Sequence, residues 1–283
     1  MKLRVWILSV FLLILALFSC EMDSFLFNAQ KIDRYRLPGN DISEDLIEQV
    51  TLDSEGFTLY GYWVNSNGER PGLTILYCHG NKHNIDEYWD RVMLLHRMGV
   101  NIFIFDYRGF GRSEGQSSEK SLMKDGESAL SYVLSRNAAE DSLCLYGYSL
   151  GNFVSIYLAA KHISPLCLVS EAPFASANSL TQSSLGLDLP PRWLTEGEYD
   201  NVENIRHIDT PFLLLHGAED DFVRYRDNGK VVYDNAPHPK SQIVLAGATH
   251  SNIPDKMKSE YQKVIMDWIE QAILWNGPNN RQP

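Results

Sequence analysis

From about residue 45 onward, short apolar runs alternate with stretches of helical periodicity, and this alternation constrains the fold more than any other feature. Continuous apolar runs of this kind are typical of parallel strands that are buried on both faces. Two antiparallel strands are predicted first, with a turn at Glu55-Gly56. The eight predicted strands cover residues 48–53, 58–65, 73–78, 101–105, 143–146, 166–170, 211–216 and 242–246, and the predicted helices cover 85–98, 117–136, 150–162, 225–236 and 255–274. We therefore predict an α/β fold, a mostly parallel eight-stranded sheet with an antiparallel start and helices on both faces.

The domain boundaries follow from the same pattern. We predict one large domain over residues 45–275, with a short cap or insertion at 175–208 and a disordered tail at 276–283. The net charge is −11, and no run of Lys or Arg occurs in the predicted domain. Binding of nucleic acid depends on clustered cations that neutralise phosphates, so the composition excludes a nucleic acid as partner.

The N-terminus has the pattern of a signal peptide, predicted at 1–20. Lys2 and Arg4 precede a 14-residue run at 5–18, interrupted only by Ser9, which is shorter than the roughly 20 apolar residues that a membrane-spanning helix needs. Its end, Leu17-Phe18-Ser19-Cys20, resembles a bacterial lipobox, although a smaller residue is usual where Phe18 stands. The resemblance implies lipidation at Cys20 and a lipid anchor in the bacterial cell envelope, facing the periplasm or the cell surface. An uncleaved anchor and ordinary secretion are the alternatives, and residues 21–44 are predicted as a linker and N-terminal extension.

The three remaining cysteines, Cys78, Cys144 and Cys167, each lie in an apolar run. An odd number without metal-ligand spacing favours neither a disulfide framework nor a zinc site. We predict that they pack as small hydrophobic residues in the core, and the sequence indicates no metal and no cofactor.

The segment Gly147-Tyr148-Ser149-Leu150-Gly151 fits the pattern G-x-S-x-G between a predicted strand and a predicted helix. In that setting the serine stands on a sharp, strained turn, and the flanking Gly147 and Gly151 allow strand and helix to crowd together. The segment therefore predicts Ser149 as a nucleophile. The structural alternative is a serine that only caps the helix.

A serine nucleophile needs a base, and it needs backbone N–H donors for the developing oxyanion. His250 follows the last predicted strand, where this fold class places its base, whereas His216 is predicted to be structural and His238 solvated. The expected donors are the amides of Leu150 and Asn81, with Gly80 allowing a tight loop. His79 is predicted as a buried structural residue.

Together, the segments HGN, DYRGFGRSEG, GYSLG, HGAEDDFV and GATHSN resemble the α/β-hydrolase superfamily in type and order over residues 45–275. The resemblance is to a compact, cap-poor group that includes membrane-associated thioesterases and serine-aminopeptidase-like hydrolases. It implies Asp220 as the third catalytic residue, because Asp220 matches the acid of the segment H-G-x-x-D-x-x-V. The neighbouring Asp221 and Glu219 are alternatives for the acid, and the structural alternative is a solvated acidic turn.

The resemblance implies hydrolysis of a small or acylated ester or thioester through an acyl-enzyme on Ser149. One alternative is a peptidase, in which Glu171 or Glu196 binds a substrate amine. Others are acyl transfer by the same residues and a non-catalytic binding protein. The aromatic residues near the motifs fit either an apolar acyl pocket or the core: Tyr107, Phe110, Tyr148, Phe174 and Trp193. The sequence does not indicate an oligomeric state.

Overall fold

The structure is a computed structural model that describes residues 27–136, 138–179 and 199–276. The predicted signal peptide with Cys20, the centre of the predicted cap, and residues 277–283 of the predicted tail lie outside the described residues.

Eight strands form one sheet in the order β10-β9-β8-β7-β4-β6-β3-β2. Only the β2–β3 and β3–β6 pairings are antiparallel, so the predicted antiparallel start and parallel remainder are confirmed. A separate two-stranded sheet pairs β1 with β5. The strands are β1 Asn28–Ala29, β2 Ile47–Ser54, β3 Phe57–Val64, β4 Thr74–Cys78, β5 Lys82–His83, β6 Asn101–Phe105, β7 Leu143–Tyr148, β8 Cys167–Glu171, β9 Phe212–Gly217 and β10 Lys240–Leu245.

Helices cover both faces of this sheet, as predicted. The α-helices are α1 Trp89–His96, α2 Glu119–Ser135, α3 Gly151–Lys161, α4 Asn201–Ile205, α5 Gly229–Asn235, α6 Ile253–Met257 and α7 Ser259–Asn276. Short 3-10 turns precede β2, α1 and β7, at Glu44–Leu46, Ile85–Tyr88 and Glu140–Ser142. None of the helices within the described ranges is long and apolar enough to span a membrane.

The central strand β7 shows how the sequence produces two cores. All six of its residues are buried, and successive side chains point to opposite faces of the sheet. Leu143 and Leu145 enter the core beneath α2 and α3, whereas Cys144 and Tyr146 enter the core beneath α1 and α7. A strand with this much burial on both sides has to be apolar throughout, which is why its sequence lacks the alternation of a surface strand.

The structure differs from the prediction mainly at element ends. The helix predicted at 255–274 is two helices, α6 and α7, because Lys258 takes a positive φ of 54° between them. Strand β7 continues two residues beyond its predicted end, to Tyr148, so that the turn at Ser149 follows it directly.

The described part of the predicted linker, from Phe27 onward, is packed on the domain. Phe27, Tyr35 and Ile42 are buried, and β1 pairs in parallel with β5. Strands β1 and β5 have only two residues each, which is too short to leave a recognisable sequence pattern. The packing of this segment was therefore not predicted.

Candidate active site

Ser149 stands on a strained turn between β7 and α3. Its φ is +51°, in the left-handed region that non-glycine residues rarely adopt. A side chain at Gly151 would overlap the backbone carbonyl of Cys78, and one at Gly147 would overlap Ser155 and Asn152. Both glycines are therefore required by close packing, and together with the strained φ they give the geometry predicted from G-x-S-x-G.

Three hydrogen bonds to backbone carbonyl oxygens hold this turn in place. The Ser149 N–H donates to the carbonyl oxygen of Glu171 at 3.0 Å. The side-chain amide of Asn152 donates to the carbonyl oxygens of Ser149 at 3.1 Å and Glu171 at 2.8 Å. Asn152 is fully buried and ties the turn to β8, a role that the sequence pattern did not reveal.

The structure brings Ser149, His250 and Asp220 together, although they come from the ends of three different strands. His250 Nδ1 lies 2.7 Å from Asp220 Oδ2, and His250 Nε2 lies 3.0 Å from Ser149 Oγ. A carboxylate only accepts hydrogen bonds, so Nδ1 carries the proton and Nε2 accepts from the serine hydroxyl. This is the arrangement in which an imidazole can remove the proton of a serine nucleophile.

Backbone donors orient Asp220 toward His250. Its Oδ1 accepts from the N–H groups of Phe222 at 3.0 Å and Val223 at 2.7 Å, which leaves Oδ2 for the imidazole. Asp220 is 3% exposed. The alternative carboxylate, Asp221, is exposed, and His250 contacts Asp220.

A second histidine, His216, lies near the same carboxylate. Its Nε2 is 2.7 Å from the carbonyl oxygen of Val223 and 3.5 Å from Asp220 Oδ2. Burial lowers the pKa of His216, and the Val223 contact and the Asp220 charge only partly oppose this. A neutral histidine that holds the Val223 carbonyl fits the structural role predicted for it.

The predicted oxyanion donors lie on two loops that pack against each other. Gly80 leaves no space for a side chain beside the ring of Tyr148, and Gly151 abuts the backbone of Cys78 and His79. The loop carrying Asn81 is thereby held beside the turn carrying Leu150. The side-chain oxygen of Asn81 also accepts from the N–H of Asn28 at 3.0 Å, so the N-terminal segment contacts this loop.

His79 lies behind the oxyanion loop and is fully buried. Its Nδ1 is 2.8 Å from the Gly80 carbonyl oxygen, and its Nε2 is 3.1 Å from Asp106. Asp106 accepts hydrogen bonds from the hydroxyl of Tyr35 and from the N–H of Ile85. These contacts of His79 with Gly80 and Asp106 stabilise the loop that carries Asn81, consistent with the structural role predicted for His79.

A buried ion pair between Arg91 and Glu171, beside the loop that carries His250, was not predicted from the sequence. Arg91 Nη2 donates to Glu171 Oε1 at 2.8 Å and to the carbonyl oxygen of Ser251 at 3.0 Å. Its guanidinium also lies 4.2 Å from the ring centroid of Tyr148, whose hydroxyl is 3.3 Å from the His250 carbonyl oxygen. Arg91 therefore connects the β8 end to the loop that carries the base.

Glu171 is occupied by this network and is fully buried. Its other oxygen accepts from the hydroxyls of Tyr146 at 2.6 Å and Tyr261 at 2.8 Å. Burial alone would raise the pKa of Glu171, but the Arg91 charge and these hydrogen bonds outweigh it and lower the pKa. The alternative in which Glu171 binds a substrate amine does not fit this buried, hydrogen-bonded carboxylate. The other residue of that alternative, Glu196, lies outside the described residues.

Most of the aromatic residues near the motifs belong to the core. Tyr107 and Phe110 are fully buried and Phe174 is 3% exposed, whereas Trp193 lies outside the described residues. Phe222 differs, because it is 51% exposed with its ring 5.2 Å from that of His250. Phe222, which the sequence did not single out, thus provides exposed apolar surface beside His250.

The cysteines and the metal-binding residue types can be placed as well. Cys78, Cys144 and Cys167 are buried and free, in agreement with the core role predicted for them. Within the described ranges, no three His, Cys, Asp or Glu residues converge in a group that could hold a metal ion.

The fold, the strand order and the position of this site at the carboxyl ends of the strands define a class of protein. The chain has the α/β-hydrolase fold. More particularly, residues 69–196 match the family described as "Serine aminopeptidase, S33". A relative, the uncharacterized protein YfhR of Salmonella typhi, is 29% identical over 242 residues, which are 80% of this chain and 82% of the relative.

Solved structures of esterases have the same fold. The Pyrococcus furiosus esterase Pf2001 aligns with a TM-score of 0.70 and 19% identity, over 87% of this chain and 97% of that one. The esterase domain of a Rhodothermus marinus protein aligns with a TM-score of 0.61 and 20% identity, over 80% and 99% respectively. At these identities the likeness concerns the fold.

Proposed function

We propose that this protein is a serine hydrolase that cleaves carboxylic esters or thioesters through an acyl-enzyme on Ser149. One observation carries the proposal: His250 lies 3.0 Å from the Ser149 hydroxyl and 2.7 Å from the buried carboxylate of Asp220. These contacts supply nucleophile, base and orienting acid in one hydrogen-bonded chain.

In the acylation step, Ser149 Oγ attacks the acyl carbon while His250 Nε2 takes the hydroxyl proton. The carbonyl oxygen becomes an oxyanion, which the amides of Leu150 and Asn81 stabilise in this proposal. His250 then returns the proton to the leaving alcohol or thiol as its bond to the acyl carbon breaks. Asp220 remains ionised and stabilises the imidazolium that forms between these events.

In the deacylation step, water replaces the leaving group. His250 removes a proton from the water, whose oxygen attacks the acyl carbon of the ester on Ser149. The second tetrahedral intermediate collapses with return of the proton to Ser149 Oγ. The products are the free acid and the unmodified enzyme.

Ester or thioester substrates are favoured over peptides by the surroundings of the triad. One of the two carboxylates considered for a peptide amine, Glu171, is hydrogen-bonded to Arg91 and to two tyrosines. The exposed ring of Phe222 beside His250 instead offers an apolar contact for an acyl or alcohol group. A purely binding role is disfavoured because nucleophile, base and acid are all present and in contact.

A direct test is to trap the acyl-enzyme. The protein is mixed with p-nitrophenyl acetate and with an acetyl thioester, quenched within seconds and weighed intact by mass spectrometry. We expect both substrates to add one acetyl group, mapped to Ser149 and absent from Ser149→Ala. The exposed Ser164 provides a matched control, since Ser164→Ala should still be acylated. Turnover of either substrate without an adduct at Ser149 in pre-steady-state samples would contradict the proposal.

We further propose that the chain is held at the membrane of the bacterial cell envelope by lipidation at Cys20. The support is the lipobox-like sequence that ends the apolar segment at 5–18. Metabolic labelling with an alkyne fatty acid tests this directly, with incorporation expected in the wild type and lost in Cys20→Ala.

A further inference from the structure

The N-terminal segment of residues 27–32 lies on the loops that form the candidate active site. Strand β1 pairs with β5 immediately after Asn81, and the Asn28 N–H binds the Asn81 side chain. Lys31 forms a parallel bridge with Gly111. The described chain therefore begins at the same edge of the sheet as Ser149.

The first described residue is fixed at that edge by aromatic contacts. The ring of Phe27 is 9% exposed and lies 6.2 Å from Phe110 and 6.5 Å from Tyr199. Phe110 in turn contacts His79, which supports the oxyanion loop. Because Phe27 is packed on the domain, the distance to the anchor is counted from Phe27 and not from the start of the main sheet near residue 45.

The remaining tether is short compared with the domain. Seven residue steps separate Cys20 from Phe27, and seven steps span at most about 25 Å when fully extended. A globular domain of this size is about 45 Å across. The opposite edge of the sheet, where β7 starts, is therefore too far from the anchor to rest on the bilayer. An uncleaved anchor ending at Phe18 gives nearly the same length.

The surface next to the tether has a charge suited to an anionic bilayer. The chain as a whole carries −11, yet residues 30–37 contain three basic residues and one acidic residue. Lys31, Arg34 and Arg36 are exposed, and Arg112 lines a cleft of about 440 Å³ with Lys31 and Asp33. Basic residues close to a membrane are attracted to anionic lipid headgroups.

We propose that the edge of the domain carrying Ser149 faces the bilayer, and that the substrate is an acyl ester or thioester presented at the membrane surface. This inference rests on the proposed function and on the anchor. The bilayer is the partner of the surface formed by residues 27–36, and the exposed Phe222 lies at the same edge beside the base. A substrate with its acyl chain in the bilayer then reaches Ser149 without leaving the membrane surface.

Fluorescence quenching tests the orientation without using catalysis. The full chain, carrying Ser149→Ala, is reconstituted into vesicles of phosphatidylethanolamine and phosphatidylglycerol. A bimane label is placed by Asp221→Cys at the active-site edge or by Asp141→Cys at the opposite edge. Both positions are exposed, and the native Cys78, Cys144 and Cys167 are buried. We expect a headgroup nitroxide lipid to quench the label at 221 several-fold more than the label at 141. Equal, reversed or absent quenching at both positions would overturn the proposal.

Lengthening the tether tests the consequence for substrate. Insertion of 20 Gly/Ser residues after Asp23 should lower hydrolysis of a bilayer-embedded ester by roughly five- to tenfold, because effective concentration falls with linker length. Hydrolysis of a soluble short-chain ester should not change, and the same insertion after Pro283 is the matched control. An unchanged rate on the embedded ester would overturn the inference while leaving the hydrolase itself intact. If the wild type hydrolyses neither the embedded ester nor the soluble ester, the proposed function is refuted. The orientation measured by quenching would still stand.

Discussion

Ser149 combines a reactive hydroxyl with a backbone that has little freedom to move. The residue takes a φ of +51°, and the next helix starts two residues later, at Gly151. This turn directs the hydroxyl towards His250. Close packing of Gly151 against Cys78 and His79 fixes the position of the turn relative to the oxyanion loop. At the scale of single residues, the site therefore depends on the absence of a side chain at Gly151 as much as on the reactive side chains.

Replacement of Gly151 by alanine tests this dependence. Its Cβ would overlap the Cys78 carbonyl oxygen, which is backbone and cannot rotate away. We expect Gly151→Ala to reduce the free energy of unfolding by at least about 2 kcal/mol, as overpacking does. Urea denaturation measures this, and Gly72→Ala is the matched control because nothing lies within 4 Å of a Cβ there. Equal stability of the two variants would refute the packing argument.

The two neighbouring acids give a second test at the residue scale. Only Asp220 contacts His250, at 2.7 Å, whereas Asp221 is exposed. We expect Asp220→Asn to lower kcat by about 10³–10⁴-fold, because an amide no longer holds the imidazole tautomer or stabilises its cation. Asp221→Asn should stay within about threefold of the wild type in kcat and KM, as expected of a surface substitution. If Asp221→Asn lowers kcat for ester hydrolysis by this much and Asp220→Asn does not, the acid would be Asp221.

At the scale of elements, α1 reaches the base loop through one side chain. Arg91 connects Glu171, at the end of β8, with the Ser251 carbonyl, one residue after His250. Burial alone would lower the pKa of Arg91, but its acidic and phenolic neighbours raise it well above the ordinary value, so the guanidinium stays charged. The helix thereby helps to position a loop that is far from it in sequence.

Substitution of Arg91 by lysine tests this positioning. Lysine keeps the charge but lacks the planar guanidinium that serves Glu171 and Ser251 together. We expect kcat for a short-chain ester to fall roughly tenfold, with KM little changed. Arg97→Lys, in the exposed pair with Asp41, is the control and should leave kcat unchanged. A folded Arg91→Lys enzyme with wild-type kcat would show that Arg91 does not position the loop that carries His250.

At the scale of the whole molecule, the buried ion pair between Arg91 and Glu171 makes the free energy of unfolding depend on pH. The pKa of Glu171 is lowered in the folded protein, so its contribution to stability is present above the unfolded value of about 4.3 and is lost as pH falls through the folded value. We expect Glu171→Gln to cost roughly 3–5 kcal/mol at pH 7, because Arg91 is left buried without its partner.

The difference in the free energy of unfolding between the wild type and Glu171→Gln should then narrow as the pH falls below the unfolded value of about 4.3 and on through the lowered folded value. Denaturant unfolding from pH 7 to pH 3.5 measures the narrowing. The control is the exposed Glu140→Gln, for which the difference from the wild type should change little between these pH values. A pH-independent gap for Glu171→Gln would contradict the assigned pKa direction.

The fold and the proximity of Ser149, Asp220 and His250 could be predicted from the sequence because both leave local signals. Buried parallel strands are continuously apolar, and G-x-S-x-G marks a turn with an unusual backbone. Arg91 leaves no such signal, because it lies on an ordinary amphipathic helix and its partners are 80 and 160 residues away. Asn28 is similar, since its contact with Asn81 comes from a strand of two residues. Contacts of this kind are fixed by the tertiary fold alone.

The most direct test of the central claim is labelling with a fluorophosphonate, which modifies only an activated serine. We predict one adduct per chain, located at Ser149 by peptide mapping and lost in His250→Ala, with His238→Ala labelled as fast as the wild type. An adduct at another serine, or no adduct on folded wild-type protein, would contradict the assignment of Ser149 as the nucleophile.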